Sequence, residues 1–345
     1  MLTIRDILQG CEVGRIQTVG TMQIIPLLLE EALQDDRFET PDTVHVGTSH
    51  YGKMDFTNPS SKPLLLPSHV GYVVKQAAQD HAMATAGIVP AKKGASWDNA
   101  MCIQQSQGGY IRAGTHKMLI LPLALRRPAL EKRGQRNSYS KLWRDISSYN
   151  QTYGMRAVGE LIHYIQGYER QMDQFIAEFE CVDNQVGAIV LINGNVVGVE
   201  RAPSHKYWQA VWEPLLRVCY GSAAIAASKQ RQSTETVLKT RVPLEVVDLS
   251  DMDSLCDALE ETERKQDELV KRQVRALLDD GFQQATEQRV TTHDTRAEIR
   301  TLKNSQFVGQ VAMDITGGGV LYASLVVADG WSDARGWDLS KRFEI

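Results

Sequence analysis

Cys102 and His81 are the two side chains whose types best fit covalent chemistry. A nucleophilic cysteine needs a partner that favours its thiolate, commonly a histidine oriented by a third polar group. Both residues are present, but no spacing in the chain pairs them. The ordinary alternative is a packed thiol on a buried strand, since free cysteine is among the most buried residue types.

Recognition without chemistry has more candidates. Gln104-Gln105-Ser106-Gln107-Gly108-Gly109 combines amides and a hydroxyl with glycines that let a ligand approach the backbone. Gln104 and Gln107 are its candidate ligand contacts; a polar connection ending in a glycine turn explains the same letters. Between Arg126 and Arg144 seven bases face one acid, Glu131, a local charge of +6. Arginine forks grip phosphates and neighbouring aromatics stack bases, so Arg126, Arg127, Arg133 and Arg136, beside Tyr139 and Trp143, predict a phosphate or polyanion site. A solvated basic loop leading into a helix is the alternative. Glu200 and Arg201 stand where a strand gives way to a helix capped by Ser204, a frequent place for anions.

Everything around these residues is plain. The chain has 345 residues, 38 Lys+Arg against 42 Asp+Glu, and a net charge of −4, too small to draw a nucleic acid or membrane by bulk charge. Five cysteines stand scattered with no CxxC pair, which argues against a disulfide framework or structural zinc. No stretch is long and apolar enough to span a bilayer, and the expected location is cytoplasmic. HExxH, GxSxG, GxGxxG and a P-loop are all absent, and no metal or cofactor is expected.

The elements that must position the candidates read as α+β. Residues 15–29, 43–48, 63–67 and 70–74 predict a β-rich N-terminal part. Apolar spacings of three and four predict one helix from Tyr139 to Tyr149 and a second running unbroken from Val158 to Phe179. VGAIVLI, Asn193-Gly194 and NVVGVE predict a type I′ hairpin buried on both faces, at the centre of a helix-covered sheet. Pro214 should kink the helix after Ser204 or mark the first turn of a second segment. Residues 252–280 predict a long, protruding helical stretch, and Phe307–Ile315 with Val320–Ala328 predict strands that rejoin the central sheet around a Gly317-Gly318-Gly319 turn. The organisation expected is one unit over 1–345, with parts at 1–122, 123–249, 250–285 and 286–345.

Four stretches carry a resemblance: KPLLLPSHVGYVVKQAAQDHAM from Lys62, MCIQQSQGGYI from Met101, the run from Phe175 to Ala223, and GGGVLYASLVVADG from Gly317. Through them nearly the whole chain resembles the ARPP family, named for its association with ADP-ribosylglycohydrolase and rhodanese-phosphatase-superfamily proteins. The family has a Gln-Asn-Arg-like run where this chain reads Gln79-Asp80-His81, and an acid where this chain has Gln104. Those departures fall on polar residues, Gln79 among the candidate contacts. The resemblance implies a prokaryotic or phage setting, in conflict systems.

The expected function is a non-catalytic binding protein for a phosphorylated ligand, nucleotide- or ADP-ribose-derived. Two alternatives stay open: a self-assembling homo-oligomer touching through the 252–280 helix, and a hydrolase or transferase using Cys102 with His81.

Overall fold

The computed structural model describes residues 1–47, 51–73, 80–106, 117–135, 139–233, 252–292 and 295–328. Its centre is a nine-stranded antiparallel sheet, and the Asn-Gly hairpin lies at the heart of it. Strands Gln185–Ile192 and Asn195–Arg201 are joined by Asn193 at φ 50° and Gly194 at φ 75°, the left-handed pair that a type I′ turn requires. Gln185–Ile192 is buried at every residue because Met22–Leu28 pairs with it on one side and Asn195–Arg201 on the other. Beyond the hairpin the order continues through Val320–Val327, Phe307–Asp314 and Arg296–Lys303 to the edge strand Gln283–Thr291.

Alternate side chains on these strands enter two different cores. Ile24, Val190 and Val326 pack under the helix His205–Pro214 and its continuation. Ile25, Ile189 and Leu325 pack on the opposite face against the helix Ile4–Ile7, Val270 of the long helix Met252–Arg275, and Phe282. A third core lies between a four-stranded sheet, built from Val70–Val73, His81–Ala82, Met101–Cys102 and Lys117–Ile120, and the helices Leu123–Glu131, Trp143–Thr152, Leu161–Gly167 and Glu169–Glu178. Among the described residues no helix is long and apolar enough to cross a membrane.

Three features differ from the periodicity. The single helix expected from Val158 to Phe179 is two helices, broken at Tyr168, which leaves helical geometry at φ −117°, ψ 12°. The break turns the Tyr168 ring onto Tyr164 at 4.9 Å and Tyr153 at 5.5 Å, so aromatic packing overrides a continuous apolar stripe. The N-terminal part is β-rich as expected, with most of its strands in three smaller antiparallel sheets, but Met22–Leu28 belongs to the central sheet. The C-terminal strands begin earlier than expected: Gln283–Thr291 is polar and exposed almost throughout, so it has no apolar alternation to betray it.

Pro214 does not end its helix. A six-residue π segment, Leu215–Tyr220, follows it and leads into Gly221–Ser233. A π turn carries an extra residue and so rotates the side chains after it. Here Cys219 and Tyr220 face inward, against the first of two polar centres.

Candidate functional site

Backbone pairing brings Cys102 and His81 together. Their two-residue strands are antiparallel, with Cys102 directly opposite His81, so both side chains leave the same face of the sheet. Both residues are fully buried. The Cys102 thiol donates to the Gln104 carbonyl at 3.0 Å, and its backbone N–H donates to the Tyr139 carbonyl at 2.9 Å. Burial pushes the thiol up to about 11, with the Gln104 carbonyl, the nearby Trp143 ring and Asp80 as smaller influences. At neutral pH the group is a thiol and not a nucleophilic thiolate.

Polar atoms without a hydrogen-bond partner occur on residues that follow this pair in the chain. The Gln104 side-chain oxygen and the Lys141 ammonium are buried and have no hydrogen-bond partner among the described residues, while the Trp143 ring N–H faces the Cys102 thiol. Gln104 bridges to Glu160, and Gly159 packs against both Trp143 and Gln105. Tyr139, whose carbonyl holds Cys102, stacks edge-on against Trp143 at 5.4 Å, and Lys141 lies between them in the chain. Lys141 is 7% exposed; burial holds its pKa below 10.5, and Asp98 offsets this only in part. Native interiors satisfy more than about nine buried polar groups in ten, so the unsatisfied ammonium and amide oxygen are candidates for an external partner.

The second centre is closed around its charges, although His69 Nε2 is buried without a hydrogen-bond partner among the described residues. Arg126, in the helix Leu123–Glu131, is 0% exposed and donates to Glu200 at 2.6 Å. Tyr220 donates to the same carboxylate oxygen at 2.6 Å, and Arg126 also reaches Ser324, which stands opposite Glu200 on the neighbouring strand. Its Nε donates to His69 Nδ1 at 3.2 Å. Burial is the largest single influence and opposes the guanidinium charge, but Glu200 together with Cys219 and Tyr220 more than offsets it and holds Arg126 well above its ordinary pKa. Burial and the adjacent guanidinium push His69 well below the histidine range, so the ring is neutral and carries its proton on Nε2. His69 is held at φ 63°, a conformation rare for a residue with a Cβ. Gly198 makes room for the assembly, because a Cβ there would lie 2.0 Å from the Tyr220 hydroxyl. A cavity of about 10 Å³, room for roughly one water, adjoins Glu200 and Ser324.

The basic segment that reads as one cluster in sequence is dispersed in space. Arg126 faces inward to Glu200, Arg127 pairs with Glu131 at 2.7 Å, Arg133 with Glu287 at 2.8 Å, and Lys132 with Asp145. Four of its seven bases are thus neutralised by acids, three of which come from outside the segment. Arg201 is a latch: it is buried and donates to the carbonyls of Ile7 and Gln9, tying the N-terminal helix to the hairpin. Gln79, Gln107 and Arg136 lie outside the described residues. Lys141 and Trp143 entered the sequence reading only as one base among seven and an aromatic beside them, and His69 did not enter as a site residue. No spacing signals a buried, unpartnered lysine; for His69 the turn-forming Pro67-Ser68 is the only local hint.

Neither a curated protein nor a solved structure matches the chain. The family model ARPP-1, described as the ARG and Rhodanese-Phosphatase-superfamily-associated Protein domain, matches residues 10–313, which include Cys102, Lys141 and every named member of the Arg126 centre except Ser324. On that match over nearly its whole length, the chain belongs to the ARPP-1 family.

Proposed function

We propose that the chain is a non-catalytic binding protein for a small phosphorylated ligand, held in the Cys102–Gln104–Lys141–Trp143 neighbourhood. One observation carries the reading: the Lys141 ammonium and the Gln104 side-chain oxygen are buried with no hydrogen-bond partner among the described residues. The ammonium donates to anionic oxygens, and the amide oxygen accepts from a hydroxyl or an amine. An anion at Lys141 would also relieve the desolvation that lowers its pKa. The family's association with ADP-ribosylglycohydrolases makes ADP-ribose the first ligand to test.

Calorimetry with ADP-ribose, NAD and inorganic phosphate checks this. Saturable heat is expected with ADP-ribose. Affinity should fall by about tenfold or more in Lys141→Met, equivalent to roughly 1.4 kcal/mol, and by a smaller factor in Gln104→Ala. Absence of heat with every phosphorylated probe, or heat unchanged in Lys141→Met, defeats the proposal.

The same neighbourhood supports a second reading, cysteine chemistry, on the register that sets Cys102 across from His81. Its burden is a thiol that burial keeps protonated. A pH profile for iodoacetamide labelling of Cys102 with an inflection near neutrality would favour it; labelling that rises only in strong alkali would not.

A further inference from the structure

We propose that the cleft between the long helix Met252–Arg275 and the N-terminal edge of the central sheet is a second binding site, and that it takes a single-chain aliphatic anion. The cleft encloses about 660 Å³, within the range of small-molecule sites. Its lining is aliphatic: Leu8, Ile16 and Ile25 on the sheet side face Val270, Val274 and Leu278 from the helix side. Val13, on the same wall, is 51% exposed and extends the apolar surface to the mouth.

Two ion pairs tie the walls together across the opening. Arg15 reaches Glu263 at 2.8 Å and Arg5 reaches Asp279 at 2.8 Å, the first near one end of the cleft and the second near the other. Between those ties Lys271 and Arg275, one helical turn apart, also line the cleft, and neither has a carboxylate partner among the described residues. The lining contains one acid, Asp267. An apolar trough with unanswered cations at its rim complements an aliphatic body carrying one anionic head. No aromatic side chain lines it, so it offers no platform for a purine, and its ligand class differs from that of the Lys141 neighbourhood. The two proposals stand on separate residues and can fail separately.

The test is calorimetry with dodecyl phosphate and with decanoate on the full chain, each below its critical micelle concentration. Saturable binding is expected, weakened about tenfold or more in the charge reversal Lys271→Glu/Arg275→Glu. Val274→Trp, which fills the trough from the helix side, should abolish it while leaving the circular-dichroism spectrum unchanged. Lys141→Met should bind these probes as the wild type does. Three results would overturn the proposal: no saturable heat with either probe, heat that survives both variants, or a wild-type dimer that Val274→Trp converts to a monomer, which would make a second copy of the chain the occupant.

Discussion

The two polar centres differ in whether their cations are hydrogen-bonded, since at Arg126 only the neutral His69 Nε2 is left without a partner among the described residues. At Arg126 the fold supplies a carboxylate, a tyrosine, a serine and a neutral imidazole, from two strands, a turn and a π segment. At Lys141 it supplies burial, a partial offset from Asp98 and no hydrogen-bond partner among the described residues. A satisfied buried network fixes the packing of the elements that meet there, whereas an unsatisfied one lowers stability unless something else completes it. The Arg126 centre is therefore assigned to architecture and the Lys141 neighbourhood to binding, although the two residues stand in the same basic segment.

The largest expected effect is at Arg126. Replacing it with Met strands Glu200 as a buried, uncompensated carboxylate, and removing one partner of such a pair costs about 3–5 kcal/mol. Urea denaturation should show that loss, or the variant should fail to fold. Arg126→Met/Glu200→Gln, with both charges gone, should recover much of it. If the single variant loses less than about 1 kcal/mol, the pair is not the buried tie described and the contrast with Lys141 fails.

Lys141→Met sharpens the contrast from the other side. Removing a buried ammonium that has no partner while keeping an apolar stem of similar length should raise the melting temperature at neutral pH, the opposite sign to Arg126→Met. The pH dependence follows from the depressed pKa. Below the folded pKa Lys141 is charged in both states and the fold bears the whole desolvation cost. Between the folded pKa and the unfolded value near 10.5 the unfolded chain binds more protons, so wild-type stability rises with pH relative to the variant. The gap between the two melting temperatures should narrow as pH is raised from 7 towards 10. A lower melting temperature for Lys141→Met at pH 7 would show that the ammonium is answered, and would remove the basis for assigning a ligand to it.

How far sequence reaches follows the same division between local and distant causes. Asn193-Gly194 between two apolar runs is a local signal, and the hairpin forms where it points, at the sheet centre. Ser204 caps its helix by accepting from Tyr207, again a matter of three residues. The strands Gln283–Thr291 and Arg296–Lys303 were not legible, because the first lies at the sheet edge and shows almost every side chain to solvent. Nor was the break at Tyr168, which depends on Tyr153 and Tyr164. At the site, Cys102 and Gln104 were legible as residue types, but Arg126 and Lys141 read alike. What separates them is Glu200, seventy-four residues from Arg126, which is hydrogen-bonded to its guanidinium, whereas Asp98 only partly offsets the burial of Lys141.

Arg133 gives the smallest effect and closes the comparison. It belongs to the same segment as Arg126 and Lys141, yet it pairs with Glu287 of the edge strand at 2.8 Å, with side chains 30% and 22% exposed. A pair that water still reaches is worth about 0–1 kcal/mol, because solvent screens it and two long side chains must be held in place. Arg133→Ala should therefore change stability by less than about 1 kcal/mol, and the change should shrink further as salt is raised. ADP-ribose affinity should be unaffected, since the guanidinium is already occupied by a carboxylate. If Arg133→Ala instead weakened ADP-ribose binding as much as Lys141→Met, the basic segment would act as one surface after all. The ligand would then be held by a run of cations and not by the unanswered groups around Lys141, and the distinction between the two centres would not describe how this protein binds.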